Sequence, residues 1–307
     1  MSYVRTVGDR RFEIRSGLTH ADLVEIEAIQ REVWGPDDIV PAPHLRAVEH
    51  SGGQLAAAFE EGRMIGFSYG FLAMPHGRGM EGPGLHSHMV AVRSEGRGLG
   101  VGQALKWQQR TWAQGNGLGW ISWTFDPLQA RNARLNLEHL GAVAFDYLVD
   151  FYGAMSGPLG GGQSSDRLLA LWLLDSQRVR HLEPRVGSPS YEEAPRATPH
   201  DGPTPHALEP RTLEPRTLDE AEQQPWAVRP SDASPEAEPL IAPVPDDATC
   251  VRVAVPQDVT HLLAANPDLA QRWRGAVGVT LARLLEDGFA AVGFQGGGYV
   301  VKRNLDE

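Results

Sequence analysis

The residues with the clearest chemical potential lie in one stretch, His86–Leu105. It opens on His86 and His88, runs through the apolar Met89–Val92, and turns through Gly96, Gly98, Gly100 and Gly102 into a second apolar run. Histidine can take a proton near neutrality, and residues two apart on a strand share a face. The turn Arg97, Gly98, Leu99, Gly100, Val101 and Gly102 sets successive backbone amides at a helix N-terminus with few side chains in the way. Such a turn binds phosphate, because unsatisfied N–H groups and the helix dipole both favour an anion. A dinucleotide fingerprint would need glycine where Gln103 stands and an acidic residue about 20 positions further on. A P-loop would need Gly-Lys-Ser/Thr. Neither pattern is present. Other readings stay open at this point: a glycine connector without a ligand, histidines that only fill space, or a His-x-His zinc site completed by His76, Asp126 or His139.

The elements that must position these residues alternate strand and helix. Arg11–Arg15 reads as a strand, and Thr19 caps a helix that carries Leu23, Ile26, Ile29 and Val33 to Trp34. A polar, Pro-bearing loop is expected next. Leu55–Phe59 and Met64–Leu72 form a hairpin, Leu85–Val92 a strand, Val101–Gln114 a helix, and Trp120–Phe125 a strand. Gln129–Leu140 reads as a helix stopped by Gly141, and Val143–Val149 and Arg167–Leu174 as strands. The order predicts an α/β mixed sheet flanked by helices. At the C-terminal end, Val251–Val255, a helix capped by Asn266-Pro267 and a hairpin through Gly296-Gly297-Gly298 make a small β-α-β-β unit.

Proline sets the expected boundaries. Of 23 prolines, 14 fall between Gln177 and Ala248, a segment that also holds a tandem Leu-Glu-Pro-Arg-Thr at Leu208–Thr212 and Leu213–Thr217. Residues 1–176 therefore read as one domain, 177–248 as an acidic, Pro-rich, disordered linker, and 249–307 as a small unit that docks on the first domain or on a second subunit, so a homodimer is one expectation. The linker holds 7 basic and 14 acidic residues, and so most of the net charge of −11. That balance argues against nucleic acid, which needs clustered Lys and Arg. Cys250 is the one cysteine, so an intramolecular disulfide or a cysteine-built metal cage is excluded. The longest strongly apolar run, Leu168–Leu174, falls far below the roughly 20 residues that span a bilayer. The expectation is a cytoplasmic protein with no membrane association.

The loop Arg97, Gly100, Gly102 resembles the Arg/Gln-x-x-Gly-x-Gly/Ala loop of the GNAT N-acetyltransferase superfamily, placed as it is between a strand and the next helix. Trp123–Leu128, Asn132-Ala133, Asn136, Leu140–Ala142, Phe151–Gly153, Asp166-Arg167 and Trp273-Arg274 extend the resemblance to a little-characterised bacterial GNAT family. The resemblance implies that backbone groups of Val90, Ala91 and Val92 pair with the pantetheine arm of an acyl-CoA, that the amides of Arg97 to Gly102 hold its pyrophosphate, and that Asn132 approaches the same arm. Arg93, Lys106 and Arg110 are candidate phosphate ligands or solvated charges. Many members carry a tyrosine that protonates the leaving thiolate; Leu137 stands at that place, which leaves Tyr152 or Tyr147 to substitute.

His88 and then His86 are the expected general bases, ahead of Asp126 and Glu138. Arg131 and Arg167 are candidates to clamp a carboxylate of the acceptor. The resemblance thus implies an N-acyltransferase that moves an acetyl or succinyl group from acetyl-CoA or succinyl-CoA to a small-molecule amine, an amino acid above all, without a metal. A protein N-acetyltransferase and a non-catalytic CoA-binding regulatory module are the rival expectations.

Overall fold

The computed structural model describes residues 2–7, 10–36, 39–153, 164–183, 192–193 and 224–303. They divide into two compact units. The first comprises Met1–His76, Glu81–Ile121 and Glu183–Glu209, and the second Gly77–Met80, Ser122–Leu182 and Pro210–Glu307.

In the first unit, β1 (Ser2–Val7), β2 (Arg10–Arg15), β3 (Gln54–Glu60), β4 (Arg63–Ala73) and β5 (Gly84–Val92) pair antiparallel in the order β5-β4-β3-β2-β1, and β9 (Glu192–Glu193) adds to the outer edge. The period of two sorts their side chains between two cores. Leu55, Ala57, Phe59, Phe67 and Tyr69 pack with Leu23, Ile26, Ile29 and Leu45 of the helices α1 (His20–Trp34) and α2 (Ala42–His50). Ala56, Ala58, Phe12, Ile14 and Ile65 pack with Val101, Ala104 and Leu105 of α3 (Val101–Gly115). Both faces are covered, which is why β3 and β4 read as nearly continuous apolar runs.

The expected cap of α1 is present: Asp22 donates its amide to Thr19 Oγ1 at 3.2 Å, and Thr19 donates its own to Asp22 Oδ2 at 2.8 Å. The loop expected after α1 instead contains α2, whose Pro43 sits in the first turn, where its missing N–H costs nothing. One close approach has a measurable consequence. A Cβ at Gly84 would fall inside the ring of Trp120, which is buried and donates from Nε1 to the carbonyls of Glu81 at 3.0 Å and Gly82 at 3.2 Å. Gly84→Ala is therefore expected to cost about 3 kcal/mol in chemical denaturation, the upper range for overpacking a fixed core.

The second unit carries β7 (Val143–Leu148), β8 (Arg167–Leu173), β10 (Trp226–Pro230), β11 (Pro239–Ile241), β12 (Cys250–Ala254), β13 (Phe289–Gln295) and β14 (Gly298–Arg303), with Ser122–Phe125 of β6 (Trp120–Phe125). The order is β11-β10-β12-β14-β13-β7-β8-β6. Its helices include α4 (Ala130–Arg134), α5 (Gln177–Leu182), α6 (Val259–Ala265) and α7 (Pro267–Glu286). The helix expected over Gln129–Leu140 changes pitch halfway, into a π turn at Leu135–His139.

One expected boundary is corrected. Gln177–Ala248 is not a linker throughout, because α5 occupies its start and β10 runs parallel to β12 near its end, with Ala227 and Val228 buried and Trp226 under the Arg252 guanidinium at 4.0 Å. Short apolar triplets supply the burial there despite the surrounding prolines. The Leu-Glu-Pro-Arg-Thr repeat lies outside the described residues. The C-terminal strands and helices contact residues of 1–176: β13 pairs with β7 at Ala291 and Ala144, and Arg274 of α7 grips Asp126 through two hydrogen bonds of 3.1 and 3.0 Å. Among the described residues, no helix is long and apolar enough to cross a membrane.

Candidate functional site

β5 leads directly into the glycine turn. Val90, Ala91 and Val92 pair with Ser68, Phe67 and Gly66 of β4, so one edge of each is fixed by the ladder. A 3-10 turn at Ser94–Gly96 follows, and Gly98 and Gly100 then take φ values of +80° and +71°, where a side chain would be strained. Gly100 is the residue before α3, and no side chain caps that helix. The first intrahelical bond runs from the Ala104 amide to the Gly100 carbonyl at 2.9 Å. The amides of Val101, Gly102 and Gln103 therefore point out of the helix end with its partial positive charge. A Cβ on Gly98 would meet nothing within 4 Å. Arg97 is exposed beside this nest, with Nε 3.4 Å from the Val92 carbonyl.

The three cations considered as phosphate ligands have structural roles instead. Arg93 is buried and pairs with Glu25 at 2.8 Å and Glu32 at 3.1 Å, tying the turn to α1. Arg110 is buried and pairs with Glu183 at 2.7 Å. Lys106 is fully buried, and that burial pushes its pKa well down. Its Nζ donates to Ser87 Oγ at 2.8 Å, Ser87 donates to Gln109 Oε1 at 2.8 Å, and Gln109 Nε2 donates to Gln54 Oε1 at 2.8 Å. Gln54 Nε2 continues to Ser68 Oγ at 3.0 Å and Gln108 Oε1 at 3.1 Å. This chain of buried polar groups locks Ser87, and with it the middle of β5, onto α3.

The opposite face of β5 carries the histidines. Tyr69 pairs with Met89 and Gly70 with Ser87, so His88 is the extra residue of a β-bulge. The bulge lets His88 and Met89 face the same side: Met89 packs into the core under α1 and α2, and the His88 ring stands 5.9 Å from Tyr69. His86 and His88 are brought together, their rings 6.2 Å apart, as the two-residue spacing predicts. Both are held below the ordinary histidine pKa. For His86 burial is the main cause, followed by His88, His76 and Lys106, and the value falls to about 4. For His88 burial comes first and His44 second. The His86 ring is thus an uncharged base at neutral pH, and the shift of His88, itself exposed, runs in the same direction.

Sequence reasoning missed the groups around them. Phe71 lies beside both imidazoles, 5.2 Å from His86 and 5.7 Å from His88. Buried Tyr69 meets His44 of α2 through its hydroxyl, Oη to Nε2 at 3.3 Å. The i, i+2 spacing of Tyr69 and Phe71 on an expected strand was the available signal. His76 stands 5.9 Å from His86, and its Nδ1 lies 2.8 Å from the Met74 carbonyl. Among the described residues, no three His, Cys, Asp or Glu side chains are arranged to hold a metal ion.

The remaining expected residues belong to the second unit. Arg131 and Asn132 are exposed on α4. Arg167 donates to the Asp166 carbonyl at 2.8 Å and lies 5.2 Å over the Tyr152 ring. Tyr152 is 46% exposed, and its hydroxyl shares a hydrogen bond with Thr124 Oγ1 at 3.0 Å. Tyr147 is tied down, since it donates to Asp166 Oδ2 at 2.8 Å and both burial and that bond raise its pKa. The lesser base candidates are framework groups. Asp126 holds Arg274, and Glu138 Oε1 accepts the Phe294 amide at 2.7 Å. Leu137 is completely buried.

No protein-family model and no curated protein matches the chain. Among solved structures, the chain is similar to the Salmonella typhimurium protein yncA, solved with acetyl-CoA, at 18% identity over 53% of this chain and 94% of that one, with a TM-score of 0.44. It is similar to the ribosomal-protein-alanine N-acetyltransferase of Brucella melitensis at 20% identity over 52% and 98%, TM-score 0.42. The ribosomal-protein-S18-alanine N-acetyltransferase of Escherichia coli aligns at 15% identity over 53% and 94%, TM-score 0.43.

Proposed function

We propose that the protein is an acyl-CoA-dependent N-acyltransferase of the GNAT kind, with acetyl-CoA or succinyl-CoA as donor and a small-molecule amine as acceptor. The observation that carries this reading is the N-terminus of α3, without a side-chain cap and opened by Gly98 and Gly100 in left-handed conformations, at the end of a bulged strand that bears two neighbouring histidines. The Arg97 amide already donates to the Ser94 carbonyl at 3.2 Å, but the outward amides of Val101, Gly102 and Gln103 suit a pyrophosphate, and the extended backbone of Val90, Ala91 and Val92 suits an amide-bearing arm. Because Arg93, Lys106 and Arg110 have other partners, the anion is held by backbone dipoles rather than by a cluster of cations.

In the reaction, the acceptor ammonium first gives a proton to His88, directly or through water, with His86 beside it. The freed nitrogen attacks the thioester carbonyl, a C–N bond forms as the C–S bond breaks, and backbone amide dipoles stabilise the charge on the carbonyl oxygen. The second nitrogen-bound proton ends on the thiol of CoA. Leu137 has no proton to give, so the thiolate of CoA leaves without a side-chain acid and takes its proton through solvent.

The test is direct. Calorimetry should show acetyl-CoA or succinyl-CoA binding in the micromolar to millimolar range usual for enzyme substrates, and thiol release should appear with one of a panel of free amines. Binding without turnover on any amine would favour a regulatory CoA-binding module. Turnover confined to peptide N-termini would favour a protein N-acetyltransferase. No binding would overturn the proposal.

A further inference from the structure

The face of β4 and β5 that presents His86 and His88 is aromatic, and neither strand carries a carboxylate. Phe71 is 38% exposed there, and its ring lies only 34° from parallel with that of His86. Tyr69 stands on one side of it, with ring centroids 6.2 Å apart. On the other side, His86 leads to His76 and then to Trp120, whose ring is 5.6 Å from that of His76. From Met64 to Ser94 the sequence holds a single carboxylate, Glu81.

Such a surface selects by chemistry. A ring laid against Phe71 gains offset stacking and loses water from both faces. A second ammonium on the acceptor would find no carboxylate on either strand, and burying a charge without a partner is costly. The imidazoles do not compensate: His86 is uncharged at neutral pH and would repel a cation if it were not. Resting on the N-acyltransferase reading, we propose that the acceptor is a monoamine with an aromatic or bulky apolar body, which packs on Phe71 beside Tyr69 and directs its nitrogen to His88. Polyamines and other multiply cationic amines are excluded by the same surface.

The experiment compares 2-phenylethylamine, spermidine and a short peptide with a free N-terminus by thiol release from the full-length protein, with acetyl-CoA affinity measured separately by calorimetry. The kcat/KM for 2-phenylethylamine should exceed that for spermidine by about tenfold or more, and Phe71→Ala should raise the KM for 2-phenylethylamine about tenfold, an aromatic contact plus the burial it brings. Acetyl-CoA affinity should be unchanged in that variant, which shows that it is folded, and Phe71→Tyr should restore the KM. Preference for spermidine or the peptide, or a KM unmoved by Phe71→Ala, would overturn the inference while leaving the acyltransferase reading standing. Failure of the unaltered protein to bind acetyl-CoA would overturn that reading, and the inference with it.

Discussion

Gly102→Glu should weaken acetyl-CoA binding by about 100-fold or more while leaving the melting temperature unchanged or slightly raised. A Cβ at Gly102 would meet only Val92 Cγ2, at an ordinary 3.7 Å, so the substitution fits without displacing the fold. A carboxylate in the first turn of α3 stabilises that helix by roughly 0.3–1 kcal/mol through its dipole. The same carboxylate competes with the pyrophosphate for the amides and repels it. At an effective dielectric near 20, one pair of like charges about 4 Å apart costs roughly 4 kcal/mol, enough for 100-fold even after partial screening. Gly102→Ala is the control, since it adds the Cβ without the charge and should bind nearly as the unaltered protein does. Full acetyl-CoA affinity in folded Gly102→Glu would remove the phosphate site from the α3 turn.

This prediction was accessible from the sequence because the glycine turn is a local device: strand, left-handed glycines and helix start are contiguous, and short-range rules describe all three. The same holds for the Thr19 cap, the Asn266-Pro267 helix start, and the hairpin of β3 and β4. What escaped was non-local. α2 has only nine residues and a weak pattern interrupted by prolines. β10 gains its stability from Cys250–Ala254, more than 20 residues on, and was hidden by averaging over a Pro-rich stretch. The roles of Arg93, Lys106 and Arg110 turned on partners 19 to 73 residues away, Ser87 being the nearest and Glu183 the furthest. A basic residue on a helix near a phosphate loop looks like a ligand until its burial is known.

The histidine site shows the same division. The shared face of His86 and His88 follows from strand geometry, but the register between β4 and β5 decides what surrounds them. The bulge shifts that register by one, and a one-residue shift changes which β4 side chains stand opposite. Only with Tyr69 opposite Met89 and Gly70 opposite Ser87 does Phe71 come beside both rings. Aromatic residues at the end of an expected strand had no visible tie to the histidines without that pairing.

The bulge also leads to the second large effect. His88→Gln should lower kcat/KM about 100-fold at pH 7, within the usual contribution of a positioned base, while acetyl-CoA affinity stays the same. An alkyl amine with a pKa of about 10 is neutral to only about one part in a thousand at pH 7, so the loss of its proton limits a protein without a base. The deficit should therefore shrink as pH rises, by about tenfold per unit, until the ammonium loses its proton to solvent without help. In the unaltered protein the acid limb should fall below the ordinary histidine value of 6.5, because burial and His44 both disfavour the charged His88 ring. His86, at about 4, stays neutral across the range from pH 5 to 8 and cannot produce that limb. A group that merely held the strand in place would give a deficit of the same size at every pH. A constant deficit from pH 6 to 9 would thus reassign His88 from proton acceptor to positioning residue, and pH rescue in His88→Gln would fix the proton on its ring.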